Sequence, residues 1–261
     1  MTRKHIALNK RLKIGLILLS VFIFPACSLQ KNISPETVAS MENKGTDYIV
    51  MIHGLWNRSS RLADFEDYFT TRGYQVLNLN YPSTEGSIEE LEKLYLRPVI
   101  NAIPAKSEQK IHFVTHSMGG ILLRQYFKKN TLKQAGKVVM ISPPNQGSQW
   151  ADMLKNHPFY KSIAGPAAYD LRTVDNAFLA DLGPADFYLG IIAGDKSYFS
   201  GSEDTLPGAD DGMVAIENMK LQGMKDMITI HDDHRGLTKN REAIRQTEYF
   251  LLNGSFNHNN I

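Results

Sequence analysis

Short apolar runs alternate along this chain with longer stretches whose apolar residues recur every three or four positions. Six runs read as strands: 48–52, 74–79, 110–114, 137–141, 187–193 and 227–230. Tyr48-Ile-Val-Met-Ile52 and Lys137-Val-Val-Met-Ile141 are almost continuously apolar, the pattern of strands buried on both faces. Between the strands, Leu62, Phe65, Tyr68 and Phe69 have helical spacing, with Ser60 as the expected cap and Gly73 as the stop. Ser87 and Glu90 make a capping box for a helix that turns Leu91, Leu94, Leu96, Val99 and Ile100 inward and ends near Pro104. Ile121, Leu122, Leu123, Tyr126 and Phe127 predict a helix reaching about Lys129, and 241–252 predicts the last one. Strands alternating with helices imply an α/β fold, a parallel sheet of about six strands covered on both sides.

One region breaks the alternation. About 40 residues (about 148–186) contain no strand pattern. Trp150, Met153, Leu154, Phe159, Tyr160, Ile163, Tyr169, Leu171, Phe178 and Leu179 are interrupted by Pro158, Gly165-Pro166 and Gly183-Pro184. Short helices joined by breakers predict an insertion above the sheet, fit to act as a lid or an acyl-binding wall.

The chemistry gathers where strands end. Ile111-His-Phe-Val-Thr-His-Ser-Met-Gly-Gly120 runs from a strand through a tight turn into a helix, with Ser117 at the apex. Such a bend strains the Ser backbone, requires small neighbours and aims helix N–H groups at the hydroxyl. Gly119 fills the second small position; Thr115, compact but β-branched, stands at the first. His53-Gly54 follows the first strand, where Gly54 permits a sharp turn and leaves the Leu55 N–H free to face the same point. Acidic candidates come next, Asp195 directly after its strand and Asp211 within Asp210-Asp-Gly-Met-Val214. His231 and His234 follow the last strand. A Ser hydroxyl barely ionises near neutral pH, so it needs an imidazole to accept its proton, and a carboxylate to hold the imidazole tautomer. The negative oxygen formed by attack needs two aimed donors, for which the N–H groups of Leu55 and Met118 are the candidates. The residues themselves leave open which acid and which His serve.

Composition adds a leader. Five basic residues, Arg3, Lys4, Lys10, Arg11 and Lys13, precede an apolar run from Ile14 to Phe24. This is the pattern of a signal peptide over 1–26, too short for a comfortable membrane span. Cys27, the chain's single Cys, follows Pro25-Ala26 and cannot form an internal disulfide. The overall charge of +2 owes everything to that leader: beyond residue 26, 24 Lys and Arg meet 27 Asp and Glu. Nothing in that balance calls for nucleic acid, and no cluster has metal-ligand spacing. Residues 27–46 are polar and loop-like, a tether; the domain is expected over 47–256, with 257–261 as a tail.

From Asp47 to Phe256 the chain resembles the α/β-hydrolase superfamily, in particular its bacterial lipase and esterase-like members. His53-Gly54, the elbow and Pro143-Pro-Asn-Gln-Gly-Ser148 carry the resemblance, with Asn145 where those proteins have His and Thr115 where they have Gly. Asp-Asp-Gly-Met-Val is similar to the segment whose Asp before Gly is their triad acid, which implies Asp211. His234-Arg-Gly-Leu-Thr-Lys-Asn240 resembles their catalytic-His loop, which implies His234. The resemblance implies an α/β-hydrolase fold with a helical lid, and a cofactor-free serine hydrolase of carboxylic esters with Ser117, Asp211 and His234 as triad. Small residues before Cys27 resemble the bacterial lipoprotein box, although Phe24 and Pro25 depart from it; this implies an exported protein held at a membrane by lipid on Cys27. Acyl transfer, thioester cleavage and a silent binding module on the same fold are the alternatives.

Overall fold

The structure, a computed structural model, describes residues 33–154, 164–174, 177–197 and 208–260. The expected signal peptide, Cys27, the middle of the expected lid and the loop containing Leu206 lie outside these residues. Six strands form one sheet: β1 (Tyr48–Ile52), β2 (Gln75–Leu79), β3 (Ile111–His116), β4 (Ala135–Ile141), β5 (Tyr188–Gly194) and β6 (Asp226–Ile230). Their order is β2-β1-β3-β4-β5-β6 and every pairing is parallel. Among the described residues the α-helices are α1 (Pro35–Ala39), α2 (Ala63–Thr71), α3 (Ile88–Leu91), α4 (Arg97–Asn101), α5 (Met118–Lys129), α6 (Gln149–Leu154), α7 (Ala177–Asp181), α8 (Ile216–Met219) and α9 (Arg241–Asn253). This is the α/β architecture expected from the alternating pattern.

The period-2 geometry of the strands divides the core between the two faces of the sheet. Tyr48, Val50 and Ile52 pack on one side with Phe113, Leu122 and Tyr126. Ile49 and Met51 pack on the other with Phe65, Phe69, Val114 and Phe250. Every residue of β1 and β3 is buried. That explains the continuous apolarity of β1 and leaves only the strand ends open to chemistry.

Three local expectations are corrected. Ser60 is not a cap: a short 3₁₀ turn, Ser59–Leu62, leads directly into α2. The Ser87–Glu90 capping box forms as expected, but Leu94 is 63% exposed. A π-helical turn over Glu92–Leu96 joins α3 to α4, and its wider step rotates Leu94 to solvent and Glu92 into the core. Buried Glu92 is held there by the Arg97 guanidinium. Within the stretch expected to be a loop-like tether, Pro35–Ala39 is helical, Ser34 caps it, and Val38 is buried in the core.

The strand order fixes where a site belongs. The chain runs from β1 outward to β2, then crosses back to β3 on the other side of β1. The crevice between the carboxyl ends of β1 and β3 is therefore the topological switch point, where ligands bind in open α/β sheets. His53-Gly54 and Ser117 are the residues that leave those two strands.

Candidate active site

Ser117 sits between β3 and α5 with φ 54° and ψ −127°. A non-glycine residue at positive φ is held there only by its surroundings. Here the Ser117 N–H donates to the Ile141 carbonyl (2.9 Å) and its carbonyl accepts from Gly120 (3.0 Å). Gly119 is required for close approach: a Cβ there would lie 2.3 Å from the Ile52 carbonyl oxygen. Gly120 resolves the departure at Thr115. Its missing side chain leaves room for the buried Thr115 hydroxyl, which would stand 3.2 Å from a Cβ at Gly120.

Gly54 brings the β1 loop against the elbow. A Cβ at Gly54 would lie 2.8 Å from Ser117 Cβ and 3.3 Å from its Oγ. Of the oxyanion candidates, Leu55 follows Gly54 directly and Met118 is the first residue of α5. The helix N-terminus adds positive potential at the same point.

The two acids and two histidines sort into two pairs. His234 Nδ1 lies 2.7 Å from Asp211 Oδ2, with both side chains almost wholly buried, 6% and 0% exposed. The backbone repeats the link, His234 N–H to the Asp211 carbonyl at 2.9 Å. The second Asp211 oxygen accepts from the N–H groups of Met213 (3.0 Å) and Val214 (2.8 Å). His231 Nδ1 lies 2.8 Å from Asp195 Oδ1, but the His231 side chain is 78% exposed. Gly194, at the end of β5, admits Asp211: a Cβ there would lie 2.9 Å from Asp211 Cβ. So Asp211 lies against the end of β5, while Asp195 is at the surface.

His116 ties this pair to the elbow. Its Nε2–H donates to the His234 carbonyl (2.8 Å), and the two rings are 4.8 Å apart. Complete burial, and then the adjacent His234, hold the His116 pKa well below its ordinary value. It therefore stays neutral beside His234 and serves as a donor.

Several contacts escaped the sequence reading. Arg124, on a helix whose neighbouring Lys residues face outward, is buried. Its guanidinium donates to the carbonyls of Asn145 (2.8 Å), Leu179 (3.2 Å) and Gly183 (2.9 Å), and burial lowers its pKa to about 10. Asn145, where His was expected from the resemblance, donates to the Met219 carbonyl (2.7 Å). The nearby Ser148 hydroxyl donates to the Met213 carbonyl (2.6 Å), joining the turn after β4 to the Asp211 loop. Trp56, at φ 56°, meets Trp150 of α6 edge to face at 5.1 Å, so the β1 loop touches the start of the insertion. Arg124 gave no sequence signal, because its partners are backbone carbonyls. Among the described residues no group of three or more His, Cys, Asp or Glu is placed to hold a metal ion.

Comparison with known proteins accords with this architecture. A search of the curated proteins finds no match. Among solved structures, the chain is similar to Bacillus licheniformis lipase BlEst2. For its propeptide form the TM-score is 0.63 at 20% identity, over 84% of this chain and 52% of that one, so this chain spans about half of that protein. For the mature form the TM-score is 0.59 at 20% identity, over 82% and 94%. The metagenomic carboxyl esterase MGS0156 gives 0.55 at 16% identity, over 83% and 71%. At such identities the likeness is one of fold. The model of the alpha/beta hydrolase family matches residues 49–233, from β1 to the residue before His234. A match of that extent, over a parallel six-stranded sheet with a Ser elbow at its switch point, means that this chain belongs to the alpha/beta hydrolase family.

Proposed function

We propose that this hydrolase cleaves carboxylic esters through an acyl-enzyme on Ser117. His234 accepts the Ser117 proton as the hydroxyl attacks the ester carbonyl, then delivers it to the leaving alcohol. Asp211 keeps the proton of neutral His234 on Nδ1, leaving Nε2 as the acceptor, and stabilises the imidazolium that forms. The N–H groups of Leu55 and Met118 stabilise the tetrahedral oxyanion, each at about 3–4 kcal/mol of barrier. Water activated by His234 then releases the acid. The observation that carries this reading is the buried Asp211–His234 pair, tied through His116 to the strained turn at Ser117.

The substrate class is proposed from the apolar sequence of the expected insertion and the contact at its start. The apolar insertion and the Trp56–Trp150 contact favour an acyl or otherwise lipidic ester. The N-terminal signal and Cys27 extend the proposal to an exported lipoprotein held at a membrane. No helix of the described residues is long and apolar enough to cross one. Palmitate incorporation that disappears in Cys27→Ser tests the anchor, and its absence from the wild type refutes it.

The decisive experiment is labelling with a fluorophosphonate. The wild type is expected to be labelled at Ser117 and to hydrolyse short-chain aryl esters; Ser117→Ala does neither. Well-folded wild type that takes no label and turns over no ester refutes the proposal.

A further inference from the structure

Arg61 is half-buried in the loop region that borders the Ser117 turn, and the hydrolytic scheme gives its charge no task. It lies in the 3₁₀ turn Ser59–Leu62, which is held to the end of β2: the Ser59 N–H donates to Asn80 Oδ1 (3.1 Å), and the Ser59 carbonyl accepts from Asn78 Nδ2 (2.9 Å). Arg61 Nε donates to Asn57 Oδ1 (2.8 Å), and the Asn57 amide donates to the Leu55 carbonyl (2.8 Å). That bond uses Nε alone and leaves both terminal nitrogens of the guanidinium fork.

A second guanidinium is carried by the histidine loop. Arg235 follows His234 directly and is exposed. Its backbone is fixed, because the Arg235 and Gly236 N–H groups both donate to Asp233 Oδ1 (2.9 Å each). The two charges act on each other: burial, and then the Arg235 charge, hold the Arg61 pKa below its ordinary value. Burial and the adjacent His234 dominate the lowered His116 pKa, and the Arg61 charge adds to it, so Arg61 also stands within electrostatic reach of the ring bonded to the His234 carbonyl.

Among the described residues neither guanidinium forms an ion pair. The acids nearest Arg235 in sequence are engaged by the loop itself, Asp232 by the Asp233 N–H (2.9 Å) and the Asn240 side chain (2.9 Å), Asp233 by the two N–H groups above. Arg72, Arg97 and Arg245, by contrast, each have a Glu partner. Two like charges held near each other without a counter-charge repel, and a bound anion offsets that repulsion. Guanidinium forks match the oxygens of phosphate, which has enough of them to accept from two forks at once.

We propose that Arg61 and Arg235 bind a phosphate on the substrate, so that the enzyme hydrolyses acyl esters of phosphate-bearing alcohols. The proton path gives the side of the ester. His234 delivers its proton to the leaving alcohol, and Arg235 is joined to His234, so the cationic pair serves the alcohol side of the scissile bond. The inference rests on the ester-hydrolase reading and names its substrate. A lipid headgroup and a soluble phosphorylated alcohol present the same group.

The test uses the full chain and two esters that differ only in the phosphate, the monobutyryl esters of glycerol and of glycerol 3-phosphate. Wild type is expected to prefer the phosphate ester by about 30-fold in kcat/KM, and Arg61→Gln and Arg235→Gln to cut that preference about fivefold each, through KM. The double variant should have almost no preference left. Glycerol 3-phosphate should inhibit neutral-ester hydrolysis competitively in wild type and not in the double variant. Because loss of Arg61 also loosens Asn57, the readout is the ratio of the two esters within one variant, which a merely distorted loop does not move. Lys110→Gln, at the opposite end of β3 from Ser117, should keep the wild-type ratio; an equal fall there makes the effect one of overall charge and overturns the site. Fatty acid released from phosphatidylglycerol vesicles by wild type, and lost in the double variant, assigns a lipid headgroup, whereas inert vesicles beside an active soluble phosphate ester assign a soluble alcohol. A wild-type preference below about twofold, or one that survives the double substitution, overturns the proposal. Should the Arg61 variants fail to fold, Arg235→Glu decides: a ratio cut at least as far as by Arg235→Gln supports the site, and a wild-type ratio overturns it. Wild type that hydrolyses neither ester and takes no fluorophosphonate overturns the ester reading and the substrate with it, an outcome distinct from an active wild type indifferent to the phosphate.

Discussion

Replacing Asp211 with Asn separates the two acid–imidazole pairs. The Asp211 carboxylate is committed on both oxygens, one to His234 Nδ1 and the other to the N–H groups of Met213 and Val214. An Asn has one oxygen to offer. If that oxygen keeps the two backbone N–H groups, the amide NH₂ faces His234 Nδ1, which must then accept and push the ring proton onto Nε2. A protonated Nε2 cannot take the Ser117 proton. The opposite amide orientation preserves the His tautomer but sets the NH₂ against two buried N–H donors. Leaving two buried donors unpaired costs roughly 2–6 kcal/mol at about 1–3 each. The productive orientation is therefore rare by about 30-fold to 10⁴-fold, and the negative charge facing the imidazolium is gone as well. We expect Asp211→Asn to lower kcat on a short-chain aryl ester by roughly 10³–10⁴-fold with an unchanged melting profile. Asp195→Asn, whose partner His231 is exposed, should stay within about twofold. A steady-state assay of both variants suffices. Loss of turnover in Asp195→Asn with retention in Asp211→Asn would refute the reasoning.

Three further outcomes are expected. His116→Phe removes the donor to the His234 carbonyl and should lower kcat about 10–100-fold with KM little changed, whereas His116→Gln, which keeps a donor at similar reach, should recover most of it; equal kinetics for Phe, Gln and wild type would exclude this role. Arg124→Met strips donors from the carbonyls of Asn145, Leu179 and Gly183 and should destabilise the fold by about 2–4 kcal/mol in urea unfolding, after the relieved cost of burying a charge is set against it; an unchanged midpoint speaks against the clamp. Stability should fall on acidification from about pH 6.5 to about pH 4, because over that window the unfolded chain protonates His53 while the folded protein, with its pKa near 4, resists. His53 contributes up to about 3 kcal/mol to that slope, and buried His116 acts in the same direction. Urea midpoints at pH 7, 5.5 and 4 measure it, and His53→Asn should flatten it; a midpoint indifferent to pH refutes the assignment.

Hydrophobic periodicity was enough for the sheet. Runs such as 48–52 and 137–141 are apolar because both faces of a parallel strand are covered, and that requirement acts residue by residue. The elbow was legible for a similar local reason: a strand, a sharp turn and a helix start within ten residues demand small side chains at fixed offsets. Leu94 was misjudged because one π turn changes the helical phase without changing the apolar pattern. Arg124 was invisible because a guanidinium bound to backbone carbonyls leaves no partner side chain in the sequence.

The pairing of acids with histidines lay beyond local pattern altogether. Asp195, Asp211, His231 and His234 are all within a few residues of strand or loop ends, and their order permits more than one pairing. Folding chooses between them through burial. The 211–214 turn satisfies one Asp211 oxygen with its own N–H groups, Gly194 leaves it room over β5, and the His234 backbone bonds to Asp211 and His116 at once. Asp195 and His231 find each other in solvent, where an ion pair adds little. Local sequence fixes strands and turns because their constraints span a few residues; which side chains meet in the dry interior depends on loops that return from far along the chain, and only the packed fold specifies their path.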